Sequence, residues 1–230
     1  MNVRLELTYK TPKGAETTFS SDDMRADKAL LIANDLERTG RLKNITFVDT
    51  RERNWSLKEL KKFMEEVETE PHNVTVYFDG GFDKQTKSSG LGCAIYYEQN
   101  GKSFRLRKNR LIGELDTNNE AEYAALELSL QELEQLGVHH LPVTFAGDSQ
   151  VVINQLTGEW PVMEKALNNW ADRIEDRFKQ LGIEPEYTLL SRKNNREADQ
   201  LASQALKEIE ITSKIEHKNE KSPLQDELPR

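Results

Sequence analysis

The sequence has few of the features that mark secreted and membrane proteins. It contains one cysteine in 230 residues, Cys93. A disulfide within the chain is therefore excluded, and a reducing compartment, the cytoplasm, is the expected location. No apolar run approaches the ~20 residues needed to cross a bilayer. The first residues alternate charged and apolar types, unlike a signal peptide. The sequence thus predicts no membrane partner.

The chain also lacks an excess of positive charge. It carries 32 Lys and Arg against 40 Asp and Glu, a formal net charge of -8. Any affinity for nucleic acid must therefore come from local basic patches or from bound metal. Most of the acidic excess lies in residues 73–211, which contain 15 basic and 22 acidic groups, whereas residues 1–72 contain 13 and 14. The sequence shows no internal repeat and no zinc-type spacing of ligands.

A polar segment that contains a proline, residues 68–73, predicts a domain boundary. Residues 1–72 combine alternating strands with two amphipathic helices, which is typical of a small α+β domain. Residues 73–211 mix strands with long helices, which is typical of an α/β fold with a mixed sheet. From residue 212 the chain is polar and without apolar period, so residues 212–230 are predicted to be a disordered tail.

Two predicted strands end at an acid. Residues 74–78 form a β-branched and aromatic run that is followed by Asp79 and two glycines, and residues 143–147 are followed by Asp148. A carboxylate at the end of a buried strand is costly unless a cation pairs with it. Ligands in such sheets gather beyond the carboxyl ends of the strands. If the two strands are adjacent and parallel, the two acids meet at the same edge. The alternative for Asp148 is that it caps the next helix.

Two helix starts supply further acids. In the first helix, Glu120 is explained by a capping box with Thr117, so Glu122, which has no such local duty, is assigned to the site. In the last helix, Asp199 shares a face with Ala202 and Leu206. An acid near a helix start often complements the helix dipole, which is the alternative explanation for Asp199.

Four clustered acids would repel one another and need cations to remain together. Oxygen ligands without a nearby histidine suit Mg²⁺ or Mn²⁺. A carboxylate set that holds two such ions is the arrangement for hydrolysis of a phosphodiester, in which one ion activates water and the other stabilises the leaving oxygen.

Four motifs, in matching order and spacing within residues 74–211, resemble those of type 1 ribonuclease H. They are Asp79-Gly80-Gly81, Thr117-Asn118-Asn119-x-Ala121-Glu122-Tyr123, Gly147-Asp148-Ser149-Gln150 and Asn195-x-x-Ala198-Asp199-x-Leu201-Ala202. The resemblance implies a five-stranded mixed sheet flanked by helices and endonucleolytic cleavage of the RNA strand of RNA–DNA hybrids. It also implies that two Mg²⁺ or Mn²⁺ ions are held by the catalytic acids Asp79, Glu122, Asp148 and Asp199.

The resemblance further implies a set of substrate-binding residues: Gly80, Gly81, Thr117, Asn118, Asn119, Gln150 and Arg192. Backbone amides of the two glycines would approach the RNA, the asparagines and the glutamine would reach the minor groove, and the threonine a phosphate. Helix capping is the alternative role of the asparagines. The loop before the last acid lacks the histidine that many members carry. It is similar to that of the short-loop branch, in which an arginine occupies this region.

Two other functions stay open. The acidic balance and the absence of a basic, tryptophan-rich protrusion suit a non-catalytic hybrid- or RNA-binding accessory protein, although the presence of all four acids argues against it. The other open function is that of an enzyme of the same superfamily that acts on another nucleic-acid substrate. Residues 1–72 do not show the aromatic and glycine signature of the hybrid-binding domain that precedes some ribonucleases H. No protein partner is predicted.

Overall fold

The computed structural model describes residues 1–217 and divides the chain into two compact units, Met1–Thr69 and a second that begins at Glu70. The sequence places the division after His72, but that residue is already the first of a long strand in the second unit. No helix among residues 1–217 is long and apolar enough to cross a membrane.

The first unit is an antiparallel sheet covered by two helices. Its elements are β1 (Asn2–Lys10), β2 (Glu16–Ser20), β3 (Met24–Arg25), α1 (Ala26–Arg38), β4 (Leu42–Asp49), β5 (Asn54–Trp55) and α2 (Leu57–Thr69). The strand order is β2-β1-β4-β5, and β3 also pairs with β1. The core between sheet and helices includes Leu5, Ala29, Phe47 and Leu60. The predicted small α+β domain is confirmed.

The second unit is built on a six-stranded mixed sheet. Its elements are β6 (His72–Asp83), β7 (Ser88–Gln99), β8 (Lys102–Ile112), α3 (Asn118–Leu136), β9 (Pro142–Gly147), α4 (Gln150–Leu156), α5 (Lys165–Leu181), β10 (Glu184–Leu189), a 3₁₀ turn (Arg192–Asn194), α6 (Arg196–Leu206) and β11 (Thr212–His217). The strand order is β10-β9-β6-β7-β8-β11. Strands β6, β9 and β10 run parallel to one another, and the remaining pairs are antiparallel.

Helices cover both faces of this sheet. A large apolar cluster that includes Phe78, Ile95 and Leu126 joins one face to α3 and α5. A smaller cluster that includes Ala94 and Leu201 joins the other face to α6. Neighbouring strand residues thus point to opposite helices, as the two-residue period of a strand requires. The predicted α/β fold with a mixed sheet flanked by helices is confirmed.

The last described strand shows that the predicted tail was wrong for residues 212–217. These residues pair antiparallel with β8 and add a sixth strand to the five predicted. The strand is held from its start, because the Ile211 main-chain N–H donates to Oδ1 of the buried Asn109 at 2.7 Å. Tertiary pairing of this kind can stabilise a segment whose own sequence is polar. The rest of the predicted tail, residues 218–230, lies outside the described residues.

Strand β6 does not end at Asp79, although the following glycines predicted an end there. Its pairing with β7 continues to Asp83, whereas its parallel pairing with β9 covers only residues 75–77. Because Tyr77 pairs with Ala146, Asp79 lies level with the residue that follows β9. The acid therefore lies just beyond the parallel part of the sheet, where a ligand site is expected.

Glycines let two helices approach this part of the sheet closely. A Cβ at Gly80 would overlap the backbone of α3 at Ala121, and a Cβ at Gly92 would overlap the backbone of α6 at Ala198. Any larger residue would push the helices away from the strands. The close approach matters because α3 carries Glu122 and α6 carries the fourth predicted acid.

Candidate active site

Three of the predicted acids come together beyond the carboxyl end of β9. Carboxylate oxygens of Asp79, Glu122 and Asp148 all lie within 4.8 Å of one another. Asp79 is 8% exposed and Glu122 is 6% exposed, while Asp148 is half-buried. Oε2 of Glu122 accepts a hydrogen bond from the Gly80 main-chain N–H at 3.1 Å. This bond fixes the start of α3 against β6, directly beside Asp79.

The surroundings of these acids disfavour their ionised forms. Burial, followed by the charges of Asp148 and Asp199, raises the pKa of Asp79 to about 7. Burial, followed by the charges of Asp79 and Asp148, raises the pKa of Glu122 to about 9. The positive charge of Arg192 lowers the pKa of both groups but does not outweigh the burial and repulsion. A cation between the carboxylates would relieve that repulsion.

Asp199 reaches the same cavity from the first turn of α6. It is half-buried and lies outside the group of three whose oxygens are within 4.8 Å. Its charge nevertheless helps to raise the pKa of Asp79, so the two carboxylates interact. The cavity has a volume of about 460 Å³ and is lined by all four acids.

Helix caps confirm the predicted role of Glu120 and decide the alternative that the sequence left open for Asp148. Thr117 Oγ1 accepts from the Glu120 N–H at 3.2 Å, and Glu120 Oε2 accepts from the Thr117 N–H at 3.1 Å, which completes the predicted capping box. Glu120 is therefore used at the helix start, while Glu122 belongs to the acidic group. At α4 the cap is Ser149, whose Oγ accepts from the helix backbone. Asp148 therefore does not cap α4.

A buried amide, Asn195, braces the acidic group. It is 1% exposed, and its Nδ2 donates to Phe78 O and to Asp148 Oδ1, each at 2.9 Å. Both partners are acceptors, so the amide nitrogen is the atom that faces them. Its main-chain oxygen accepts from the Asp199 N–H at 3.1 Å. Its place in the fourth motif is the sequence signal, but the bond to Asp148 is a tertiary contact that spacing does not predict.

The predicted substrate-binding residues are divided between the cavity and the helix starts. Four of them line the cavity: Gly80, Gly81, Asn118 and Arg192. Three lie at the starts of α3 and α4 without lining it: Thr117, Asn119 and Gln150. Asn118 also has a structural contact, because its Oδ1 accepts from the Phe82 N–H at 3.2 Å. Contacts of all seven residues with a substrate stay predictions.

The donor set fits a hard divalent cation. The three convergent side chains are all carboxylates, and no histidine or cysteine joins them among residues 1–217. Oxygen-only sets of this kind suit hard metal ions rather than zinc. Burial, together with repulsion between the carboxylates, raises the pKa values of Asp79 and Glu122 despite the nearby arginine.

Comparison with known proteins agrees with the motif resemblance. The model of the reverse transcriptase-like family matches residues 77–205. The chain is 45% identical over 193 residues to the uncharacterized protein YpeP of Bacillus subtilis (strain 168), and the alignment covers 84% of this chain and 85% of that protein. That alignment is longer than the second unit and therefore extends into the first.

A second relative is a named ribonuclease. Ribonuclease HI of Halobacterium salinarum (strain ATCC 700922 / JCM 11081 / NRC-1) is 31% identical over 134 residues, which span 58% of this chain and 64% of that protein. Two solved structures share the fold. RNase H1 from the halophilic archaeon Halobacterium salinarum NRC-1 has a TM-score of 0.50 at 27% identity, covering 59% of this chain and 98% of its own. LC11-RNase H1, isolated from compost by a metagenomic approach and solved in complex with an RNA/DNA hybrid, has a TM-score of 0.53 at 26% identity with the same coverage.

Proposed function

Because this chain belongs to the reverse transcriptase-like family and has a ribonuclease H-like fold, we propose that it is an endonuclease that cleaves the RNA strand of RNA–DNA hybrids. The observation that carries the proposal is the convergence of Asp79, Glu122 and Asp148, whose carboxylate oxygens lie within 4.8 Å of one another. Asp199, in the same cavity, is the fourth proposed ligand. The similarity to ribonuclease HI and to a ribonuclease H1 bound to a hybrid supports the substrate class.

The four acids are proposed to hold two Mg²⁺ or Mn²⁺ ions. Such ions, when bound, supply an activated water and stabilise the leaving oxygen in hydrolysis of a phosphodiester. The protein contributes an oriented set of carboxylates whose raised pKa values make protons compete with the metal. Arg192 lowers the pKa values of Asp79 and Glu122 and so favours their ionised forms, which are the forms that bind a cation.

Neighbouring residues support a role in placing the RNA strand. Gly81 and Asn118 line the cavity beside the acids, and neither presents a bulky side chain to an incoming sugar. The 2′-hydroxyl is the group by which such a site can tell RNA from DNA. Arg192 lines the same cavity and is suited to a phosphate oxygen, because guanidinium groups bind phosphate through charge-assisted hydrogen bonds. We assign it to the region that a histidine occupies in other members.

Two glutamates on the same helix provide a matched test. Glu122→Gln should reduce cleavage of a labelled hybrid by more than ~100-fold, beyond the loss expected for residues that only orient ligands. Glu120→Gln should cleave at the wild-type rate, because glutamine also serves at this position of a capping box. Equal rates for the two variants would contradict the assignment of Glu122.

The substrate class is tested with hybrid, duplex RNA and duplex DNA side by side, each with Mg²⁺ and with Mn²⁺. We expect cleavage of the RNA strand of the hybrid alone. A wild-type protein that binds hybrid and cuts none of the three substrates would replace the proposal with the non-catalytic accessory role. Preferred cleavage of either duplex would replace it with another activity of the same superfamily.

A further inference from the structure

Strand β2 lies at the edge of the sheet in the first unit. All five of its residues, Glu16–Ser20, are exposed, and one of its sides pairs with β1. Among residues 1–217, no strand pairs with its other side. An edge of this kind presents main-chain donors and acceptors to solvent and is a template for another strand. Residues 16–20, viewed from that open side, are called the β2 edge below.

The pairing with β1 determines which main-chain groups the β2 edge offers. Hydrogen bonds from Ser21 N to Leu5 O and from Thr11 N to Ala15 O flank the strand, and the register between them is continuous. In an antiparallel pair, bonded and non-bonded positions alternate. The odd-numbered residues of β2 therefore bond to β1. The outward N–H and C=O groups belong to Glu16, Thr18 and Ser20.

The other sheet edges carry features that discourage strand pairing. The β10 edge contains Pro185 between two glutamates, and the β11 edge contains Lys214 and Glu216. The β5 edge is only two residues long, Asn54–Trp55, and the part of β4 that it leaves uncovered, residues 42–46, contains Lys43. Prolines, charges and short length are the usual protection of natural sheet edges. Strand β2 has five residues, which is long enough to pair with another strand, and its centre, Thr17-Thr18-Phe19, contains no charge and no proline. Among residues 1–217 it is therefore the edge strand with the least protection.

The one charge on β2 is already compensated. Glu16 lies at the end of the strand, where its carboxylate is 2.6 Å from Lys43 Nζ and 3.8 Å from Lys10 Nζ. Apolar surface lies at the opposite end. Phe19 is 55% exposed and packs edge-on against Tyr9, with 6.3 Å between ring centroids. The edge therefore combines free hydrogen-bonding groups with an uncovered aromatic side chain and little electrostatic repulsion.

We propose that the β2 edge pairs with the β2 edge of a second copy of this chain. An antiparallel pairing centred on Thr18 sets that residue opposite its own copy, Glu16 opposite Ser20, and Thr17 opposite Phe19. This register uses all the outward main-chain groups and brings no like charges face to face. Pairs of aromatic and β-branched residues across strands are favourable. The two-fold axis closes the assembly at two copies.

The pairing of two five-residue strands buries less surface than a standard protein interface, so the dimer is expected to be reversible. Analytical ultracentrifugation of the full chain should show a concentration-dependent monomer–dimer equilibrium. Thr18→Pro should weaken the dimer by at least ~10-fold. The substitution removes an outward N–H and spares every bond to β1, and proline is tolerated on an edge strand where the N–H faces solvent. Thermal unfolding of the variant checks that the fold is retained.

A second variant keeps the main-chain donor. Thr18→Lys should also weaken the dimer, because the two-fold axis sets the new charges opposite each other. Added salt should restore part of the association by screening that repulsion. Ile215→Lys, at an exposed position of the β11 edge, should leave the dimer unchanged. The proposal is overturned if the wild-type chain is monomeric at every accessible concentration, if Thr18→Lys dimerises as tightly as wild type, or if Ile215→Lys dissociates the dimer.

Discussion

The side-chain nitrogen of Asn195 lies 2.9 Å from Phe78 O and 2.9 Å from Asp148 Oδ1. The first acceptor belongs to β6, immediately before Asp79, and the second to the acid that follows β9. Repulsion between the two acids would tend to separate them, and the shared amide opposes that separation. We infer that Asn195 acts on the proposed site through the groups that it holds, as a positioning residue.

Removal of this amide should weaken metal binding as well as cleavage. For Asn195→Ala we expect a loss of ~10- to 100-fold in the affinity for Mn²⁺, the range typical for residues that orient metal ligands. Isothermal titration calorimetry measures this affinity independently of activity. Asn168→Ala removes an exposed amide on α5 that bonds to Asp172, and it should bind metal like wild type. Wild-type affinity in Asn195→Ala would contradict the positioning role.

Contacts between residues close together in the chain could be predicted from the sequence, whereas contacts between distant residues could not. The choice between Glu120 and Glu122 could be made from the sequence because a capping box is local, and the structure confirms the box. The meeting of Asp79 and Asp148 could be predicted on the condition that their strands are adjacent and parallel, and the pairing of β6 with β9 meets that condition. The bond from Asn195 to Asp148 joins residues far apart in the chain, so no local pattern predicts it.

Strand β11 was not predicted for the same reason, because it depends on pairing with a distant strand. Its sequence, Thr-Ser-Lys-Ile-Glu-His, has one aliphatic residue and no apolar alternation, which indicates disorder when the segment is considered alone. In the structure, Lys214 Nζ lies 5.4 Å from the ring centre of Tyr97 and 5.5 Å from that of Phe104. From the sequence alone, this lysine would be expected to be solvated. In the structure it packs over aromatic rings of β7 and β8.

Gly80 should be required for the fold, whereas Gly81 should not. A Cβ at Gly80 would overlap the backbone of Ala121, but the nearest atom to a Cβ at Gly81 is the flexible Leu206 Cδ1, at 3.4 Å. Gly80→Ala should lower the free energy of unfolding by about 2 kcal/mol or more, in the range typical of overpacked sites. Gly81→Ala should change it by less than about 1 kcal/mol. Urea denaturation measures both, and equal stability of the two variants would contradict the close packing of α3.

The raised pKa values of Asp79, about 7, and Glu122, about 9, predict how stability depends on pH in EDTA. Between their ordinary values near 4 and these raised values, the folded protein holds protons that the unfolded chain has released. The free energy of unfolding contributed by these groups is therefore highest below about pH 4 and decreases as the pH rises toward 9. Urea denaturation at a series of pH values should show this decrease, and added Mg²⁺ should reduce it.

Asp79→Asn tests which group is responsible. At pH 8 in EDTA the variant should be more stable than wild type by about 2 kcal/mol, because it lacks a charge that the folded state disfavours. At pH 4 the two proteins should differ little. Asp116→Asn, at an exposed acid before α3, should follow the wild-type curve. A wild-type stability that stays constant or rises between pH 5 and 9 would be incompatible with the raised pKa values of Asp79 and Glu122.

Asn109 joins β8 to β11 and to α6 through three hydrogen bonds to main-chain groups. Its Nδ2 donates to Leu201 O at 3.0 Å and to Ile209 O at 2.9 Å, and its Oδ1 accepts from the Ile211 N–H at 2.7 Å. Asn109→Leu would leave three main-chain groups without these partners, so we expect a loss of about 3 kcal/mol in the free energy of unfolding. Arg110→Ala removes an exposed bond to a glutamine on α3 and should cost less than about 0.5 kcal/mol.

The same helix, α6, carries Asp199, so the loss of Asn109 should also be seen at the site. Asn109→Leu should cleave hybrid more slowly than Arg110→Ala at temperatures where both variants are fully folded. The difference should shrink when Mn²⁺ is raised, because a displaced ligand weakens metal binding without removing a donor. A variant that is destabilised but cleaves like the control at every metal concentration would show that α6 keeps Asp199 in place without this brace.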